Sequence, residues 1–254
     1  NVVTLLHLNE FSSELSKNFI KENCIALDPK LHSIEEIKKI IDLTNKNETK
    51  LYFTESNLID ELWENKPNRE YGTIFDHSNN YAGIDSLKKI HAFIKTLKKN
   101  NLDTYFLSSL DSIAWLLNLR GYDILYTPLA FAYLLIPVDS KPVLYLSINK
   151  LDEDLKLRLA NFLILKPIEE IDSIFDNLQS SLKIGFDFKN TSYYFYNLAL
   201  QNNHKGVSLE NPCLLPKATK NLIELEGSKK AHIRDGVSIT KFLYWLKNHK
   251  NIET

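Results

Sequence analysis

The feature that most constrains the fold of this chain is a stretch of sequence that occurs twice. Residues 24–41 and residues 183–200 both read as a short apolar strand, an aspartate, a polar turn and an amphipathic helix. The two aspartates are Asp28 and Asp187. Strands that lead directly into helices are typical of α/β proteins, so we predict two related α/β units.

Local signals divide the chain around these stretches. Ser33 precedes Glu36 by three residues, the spacing of a capping box at the start of the first helix. Residues 64–83 are polar and rich in Gly, Pro and Asn, which predicts a linker that ends the first unit near residue 83. We expect residues 1–83 to hold only the second half of such a unit, and residues 84–214 to form a complete one.

Within the second unit, residues 130–138 and 142–147 predict a hairpin, and residues 110–119 a helix that Arg120 and Gly121 end. Residues 215–254 carry a broken apolar stripe with helical spacing. A long helix at this position looks like the opening element of a third domain.

The composition excludes several classes of partner. The formal net charge is −1, from 31 basic and 32 acidic residues, which does not favour nucleic-acid binding. No apolar run approaches the roughly 20 residues that span a bilayer, so we expect no membrane segment. Cys24 and Cys213 are far apart and outside any metal-binding spacing, so we expect buried, reduced thiols and a cytoplasmic protein.

The sequence contains no self-contained active site. None of the seven histidines forms an HxH or HxxxH pair, so a metal site within the chain is not expected. His232 and Asp235 share one helix face, where they either orient a ligand or, the interpretation we favour, form a surface or domain-packing pair. Trp63, Trp115 and Trp245 lie in apolar periodic segments, and we expect them in the core.

One segment resembles a known family. Residues 110–136 resemble the second domain of the long, three-domain X-prolyl aminopeptidases, and residues 58–70, 211–227 and 231–246 resemble other parts of that family in the same order. The third of these segments contains His232 and Asp235, and the first contains Trp63, Lys66 and Pro67. The residues that carry the central match are Asp111, Ile113, Ala114, Trp115, Asn118, Arg120, Gly121, Asp123 and Pro128.

The resemblance implies an architecture and an activity. The expected fold is α/β, with two related creatinase-like N-terminal domains built on mixed sheets flanked by helices. The first domain is incomplete, and residues 215–254 begin a pita-bread α+β catalytic domain. Members of the family remove the N-terminal residue from peptides with proline in second position, and they use two divalent metal ions, usually manganese.

All the metal ligands of the family lie downstream of the counterpart of Trp245. The resemblance therefore places no catalytic or metal-binding residue in this chain, which should be inactive alone and should serve substrate access and assembly. Proline-containing peptides and a homodimer formed through the catalytic domain are the partners implied for the parent enzyme. The alternative is a stand-alone aminopeptidase-like module that binds proteins without catalysis.

Overall fold

The computed structural model of the protein describes residues 24–46, 48–67, 71–179 and 181–249. These residues form an α/β fold with a central six-stranded sheet and two short two-stranded sheets. The strands are β1 Cys24–Leu27, β2 Lys50–Phe53, β3 Ile74–Asp76, β4 Thr104–Leu107, β5 Leu119–Gly121, β6 Ala132–Pro137, β7 Val143–Leu146, β8 Ile164–Pro167, β9 Lys183–Phe186 and β10 Lys205–Ser208.

The α-helices are α1 Ile34–Lys46, α2 Leu58–Leu62, α3 Asn79–Ala82, α4 Ser86–Lys99, α5 Leu110–Leu117, α6 Glu153–Ala160, α7 Tyr193–Gln201, α8 Leu214–Ala218 and α9 Leu222–Asn248. Two 3₁₀ turns lie at Ile148–Lys150 and Ile168–Ser173.

The central sheet is mixed, as predicted. Its strand order is β10-β9-β4-β6-β7-β8, in which β4 and β6 are antiparallel, as are β6 and β7. The β6–β7 pair is the predicted hairpin, and the remaining neighbours run parallel. This arrangement confirms the expected α/β class with a mixed sheet and helices.

Apolar side chains cover both faces of the sheet because side chains alternate along each strand. Tyr105 and Leu107 of β4 belong to the core cluster that also contains residues of α4, α5 and α6. Phe106, between them, belongs to a second cluster with residues of α1 and α7. Two buried faces explain why these strands read as continuous apolar runs.

The two similar stretches pack against each other as a reciprocal pair. The backbone N–H of Ile34 donates to Thr191 O (3.0 Å), and that of Tyr193 donates to His32 O (2.8 Å). Each stretch places a strand parallel to the strand that follows its helix, β1 with β2 and β9 with β10. The predicted capping box of Ser33 and Glu36 is also present, with both reciprocal bonds formed.

The aspartates occupy equivalent turns. Asp28 Oδ1 accepts from the N–H of Lys30 (2.8 Å), and Asp187 Oδ1 accepts from that of Lys189 (3.1 Å). Each aspartate thereby stabilises the turn that leads from its strand into its helix. The repeated sequence pattern therefore corresponds to a repeated structural unit.

Several expectations for single residues are wrong. Helix α5 ends at Leu117, and Arg120 and Gly121 lie in strand β5, because Asn118 already takes the left-handed conformation that stops the helix. Trp63 and Trp245 are 51% and 45% exposed rather than in the core. Trp115 does pack against the core.

The two cysteines also differ from each other. Cys213 is buried as expected, whereas Cys24 is exposed. Cys24 opens β1, and that strand pairs on one side only, with β2, among the described residues. In the part of the chain that the structure describes, no helix has the length and apolar character needed to cross a membrane.

Helix α1 should depend on the contact between the two repeated units. Replacing the fully buried Ile37 by alanine should lower the free energy of unfolding by roughly 2–5 kcal/mol, because the cavity faces a close-packed core. Urea denaturation followed by circular dichroism measures this loss. Lys39→Ala on the exposed face of the same helix is the control, and a comparable loss there would contradict the assignment.

Candidate functional site

Asn118 is the centre of the family-like segment. Its backbone is left-handed, with φ 52° and ψ 49°, and its side chain is 3% exposed. The amide Oδ1 accepts from the ammonium of Lys89 (2.6 Å), while Nδ2 donates to Asn79 Oδ1 (3.1 Å) and to Ile84 O (2.9 Å). The N–H of His77 donates to Asn118 O (2.8 Å). One residue thus joins α3, α4, α5 and the residue that follows β3.

Lys89 reaches Asn118 from α4 although it is only 6% exposed. Its ammonium also donates to Trp115 O (2.6 Å) and lies 4.4 Å from the centre of the Trp115 ring. Burial lowers the pKa of Lys89 to about 8; nearby Glu224 raises it, and Arg120 lowers it further. The lysine is therefore charged near pH 7 but loses its proton in mildly alkaline solution.

Arg120 holds the carboxyl end of α5. Its Nη1 donates to Ala114 O (3.2 Å), which also accepts from the N–H of Asn118, and to Leu119 O (2.7 Å) in β5, so a cation lies where the helix dipole is negative. Gly121 follows, and a Cβ there would lie 2.8 Å from the Cβ of Ala130. The close approach of these two segments requires a glycine.

Asp123 ties the ends of the next loop together. Its carboxylate accepts from the N–H groups of Gly72 (2.5 Å) and Phe131 (2.7 Å). Pro128 contributes its carbonyl oxygen, which accepts from the N–H of Gly121 (3.4 Å). The loop between them presents exposed apolar side chains on a fixed base, Tyr126 being 96% exposed.

Helix α9 starts beside this segment because Asn221 bonds in two directions. Its Oδ1 caps the N–H groups of Ile223 and Glu224 (3.0 Å each), and its Nδ2 donates to Ala82 O (2.8 Å) at the end of α3. Gly83 accommodates the contact, since a Cβ there would lie 2.5 Å from Asn221 Oδ1 and the φ is +71°. The direction of α9 is thus linked to α3.

A cleft of about 550 Å³ separates the start of α9 from the β3–β5 pair. His77, Tyr81 and Arg120 line one side and Glu224 the other. Burial lowers the pKa of His77, and the charges of Arg120 and Lys89 lower it further, which favours a neutral imidazole. The cleft carries charge of both signs.

Asp111 lies at the other end of α5. It accepts from Ser109 Oγ (2.7 Å) and the N–H of Ser112 (2.9 Å), and it pairs with Lys217 of α8. Burial raises the pKa of Asp111, but the hydrogen bonds from Lys217 and Ser109 outweigh that effect and leave the pKa below its usual value. Asp111 therefore acts as an ionised helix-start residue.

The structure brings together only the central group of the predicted residues: Asp111, Trp115, Asn118, Arg120, Gly121, Asp123 and Pro128. Trp63 follows α2 and Pro67 lies just after the turn at residues 64–65, and both are exposed. His232 bonds to Ser228 O (2.8 Å), and Asp235 lies 3.6 Å from Arg234 Nε. His232 and Asp235 share no recorded contact in the described part of α9.

The residues present do not fit a metal centre. Within the described ranges, no three His, Cys, Asp or Glu side chains converge closely enough to hold an ion. Two divalent ions of the kind that the family resemblance implies would therefore need ligands from outside these residues. No reaction step is assigned to the site.

Sequence reasoning missed Lys89 and Asn221. Lys89 stands three residues after Ser86 and four before Phe93, both buried, and so lies on the apolar stripe of α4. That spacing on the apolar stripe was the available signal. Asn221 precedes Glu224 by three residues, which is a second capping-box spacing.

The chain is similar to one family of known proteins over most of its length. The family model described as "Creatinase/Prolidase N-terminal domain" matches residues 65–224. A probable Xaa-Pro aminopeptidase P of Talaromyces stipitatus is 32% identical over 232 residues, covering 88% of this chain and 35% of the relative. One of Paracoccidioides lutzii is 32% identical over 236 residues, covering 88% and 38%.

A solved structure shares the fold. The X-prolyl aminopeptidase of Caenorhabditis elegans, described as a cytosolic enzyme with a di-nuclear active site, superposes with a TM-score of 0.86. It is 24% identical, and the match covers 97% of this chain but 40% of that protein. The chain thus spans well under half the length of the relatives it matches.

Removing the ammonium of Lys89 should destabilise the protein. Lys89→Met leaves Asn118 Oδ1 and Trp115 O without their donor, which should cost about 1–3 kcal/mol in chemical denaturation. Lys95→Met on the exposed side of α4 is the control. An unchanged unfolding free energy would contradict the role of Lys89.

The free energy of unfolding that Lys89→Met loses relative to the wild type should also grow with pH. The pKa of Lys89 is about 8 in the folded state against 10.5 for a free lysine, so the unfolded state binds more protons between these values. The stability of the wild type therefore rises relative to Lys89→Met as the pH increases above 8. Denaturation curves for both proteins at pH 7 and pH 9 test the sign, since other titrating groups are common to both.

Asn221 offers a variant that separates its two bonds. Asn221→Ser keeps a capping oxygen but loses the donor to Ala82 O, whereas Asn221→Ala loses both. Spin labels on the exposed Cys24 and on a Ser238→Cys variant should give a broader distance distribution in Asn221→Ser, with the helix retained. Distributions of equal width would contradict the link between α9 and α3.

Proposed function

The chain belongs to the creatinase/prolidase N-terminal domain family, and from this premise we propose that it is the non-catalytic front and middle part of a metal-dependent X-prolyl aminopeptidase. Its parent would remove the N-terminal residue from peptides with proline in second position. In this proposal residues 84–214 form a complete creatinase-like domain. Residues 1–83 form part of a related one, and residues 215–254 begin the catalytic domain.

The exposed apolar side chains of helix α9 are the main support for this proposal. From Val237 to Leu246 most side chains are apolar, and those apolar side chains are exposed, Phe242 by 55% and Tyr244 by 72%. At 3.6 residues per turn these side chains point to every side of the helix. A helix that is apolar all round is normally buried within a larger protein. The second half of α9 therefore suits the interior of a further domain.

The relatives are long enough to contain such a further domain. The relatives from Talaromyces stipitatus and Paracoccidioides lutzii are probable Xaa-Pro aminopeptidases P, and this chain matches 35–38% of their length. Their remaining length is ample for a catalytic domain after the counterpart of α9. The di-nuclear active site described for the nematode enzyme is in keeping with a centre of two divalent ions, for which manganese is our proposal.

The described residues would then shape and hold the catalytic domain. Asn118 and Lys89 fix the segment from which β5 and its loop emerge, and Asn221 sets the direction of α9. The loop at Tyr126 and the cleft beside Arg120 lie on that same segment. In this proposal they serve substrate access and assembly in a cytosolic enzyme.

The proposal predicts that the 254-residue chain does not hydrolyse Arg-Pro-Pro, with or without added manganese. Manganese should also leave its melting temperature unchanged, because the residues that the structure describes hold no group of ligands for the ion. The nematode X-prolyl aminopeptidase under the same conditions is the positive control. Release of free arginine by the chain alone, at a rate that scales with the concentration of the chain, would refute the proposal that the catalytic residues lie outside it.

A further inference from the structure

An apolar groove of about 340 Å³ lies between α4, α5 and the segment that leads into α8. Its walls are mostly hydrocarbon, and Lys89 lies among them. This volume falls within the range of about 300–1,000 Å³ that small-molecule sites occupy. The principal apolar residues of the groove are Ile84, Phe93, Trp115, Leu116, Pro212 and Pro216.

Lys89 is a buried cation that forms no ion pair with the described residues. It is 6% exposed, and its two recorded hydrogen bonds go to neutral oxygens, Trp115 O and Asn118 Oδ1. Among the described residues, no carboxylate lies within 4.0 Å of its ammonium. An ammonium has three donors, so one remains beyond these two bonds. Buried charges in proteins are normally paired, which makes this one an exception that points to a missing anion.

The groove itself supplies no negative charge. Burial raises the pKa of the Cys213 thiol to about 12, so this lining group is neutral near pH 7. Asp111, the acidic residue at the start of α5, is already paired with Lys217. Glu224 and Asp85 raise the pKa of Lys89 from a distance, but neither carboxylate lies within 4.0 Å of the ammonium, so an anion in direct contact with it must come from outside the described residues.

We propose that this groove binds a small carboxylate with an apolar body, whose carboxylate accepts a hydrogen bond from Lys89 Nζ and whose body lies against Trp115 and Phe93. The same chemistry is offered by a free aryl-alkanoic acid and by the C-terminus of a peptide that ends in phenylalanine. This site is separate from any peptidase chemistry of the parent enzyme.

Isothermal titration calorimetry of the full chain at pH 7 tests the proposal. The probes are 3-phenylpropanoate, its neutral amide, acetate, and the peptide Gly-Gly-Phe. We expect saturable binding of 3-phenylpropanoate or of Gly-Gly-Phe, and the stronger of the two identifies the source of the carboxylate. The amide should bind about tenfold to a hundredfold more weakly than the acid, because it forfeits a charged hydrogen bond. Acetate should bind at least as weakly.

Two variants assign the binding to the groove. Lys89→Met should abolish it, while Lys95→Met, on the exposed side of α4, should leave it intact. Ala92 lines the groove and is exposed, so Ala92→Trp should block binding while keeping Lys89 in place. This second variant decides the matter if Lys89→Met does not fold. Absence of saturable binding, equal affinity for acid and amide, or unchanged affinity in Ala92→Trp would overturn the proposal.

Discussion

The side-chain amide of Asn118 is the contact on which the rest of the site depends. The amide accepts from Lys89 and donates to both Asn79 and Ile84, and it belongs to the residue whose left-handed backbone stops helix α5. Because the reversal after α5 is held there, β5 can pair with β3, and Gly121 and Asp123 follow in place. The start of α9 rests on α3, which Asn79 opens, so the amide also supports the exit of the chain towards α9.

Two features of Lys89 and helix α9 distinguish them from the well-packed central sheet. Within the described part of the chain, Lys89 carries a buried charge that forms no ion pair, and the apolar side chains in the second half of α9 are exposed. The central sheet, by contrast, has both faces filled by apolar clusters. The family relationship and the length of the relatives account for the uncovered helix through a following domain. They do not account for Lys89, which is why the groove beside it is the place to look for a ligand.

Much of the fold could be predicted because its signals are local. Continuous apolar runs marked the central strands, and Ser33 with Glu36 marked the start of α1. The end of α5 was misplaced because Asn118 and Gly121 can both end a helix and stand close together. Lys89 was missed because its acceptors lie 26 and 29 residues away in sequence. The exposure of Trp245 was unpredictable, since it depends on what α9 packs against rather than on its own periodicity.

The most direct test of the account is hydrogen exchange along α9 in two proteins, the 254-residue chain and a fusion that continues into the matching catalytic region of the Talaromyces stipitatus relative. The account predicts that amides from Val237 to Asn248 exchange quickly in the chain alone and become strongly protected in the fusion, while the central sheet is protected in both. Equal exchange of α9 in the two proteins, with a folded catalytic region, would contradict it.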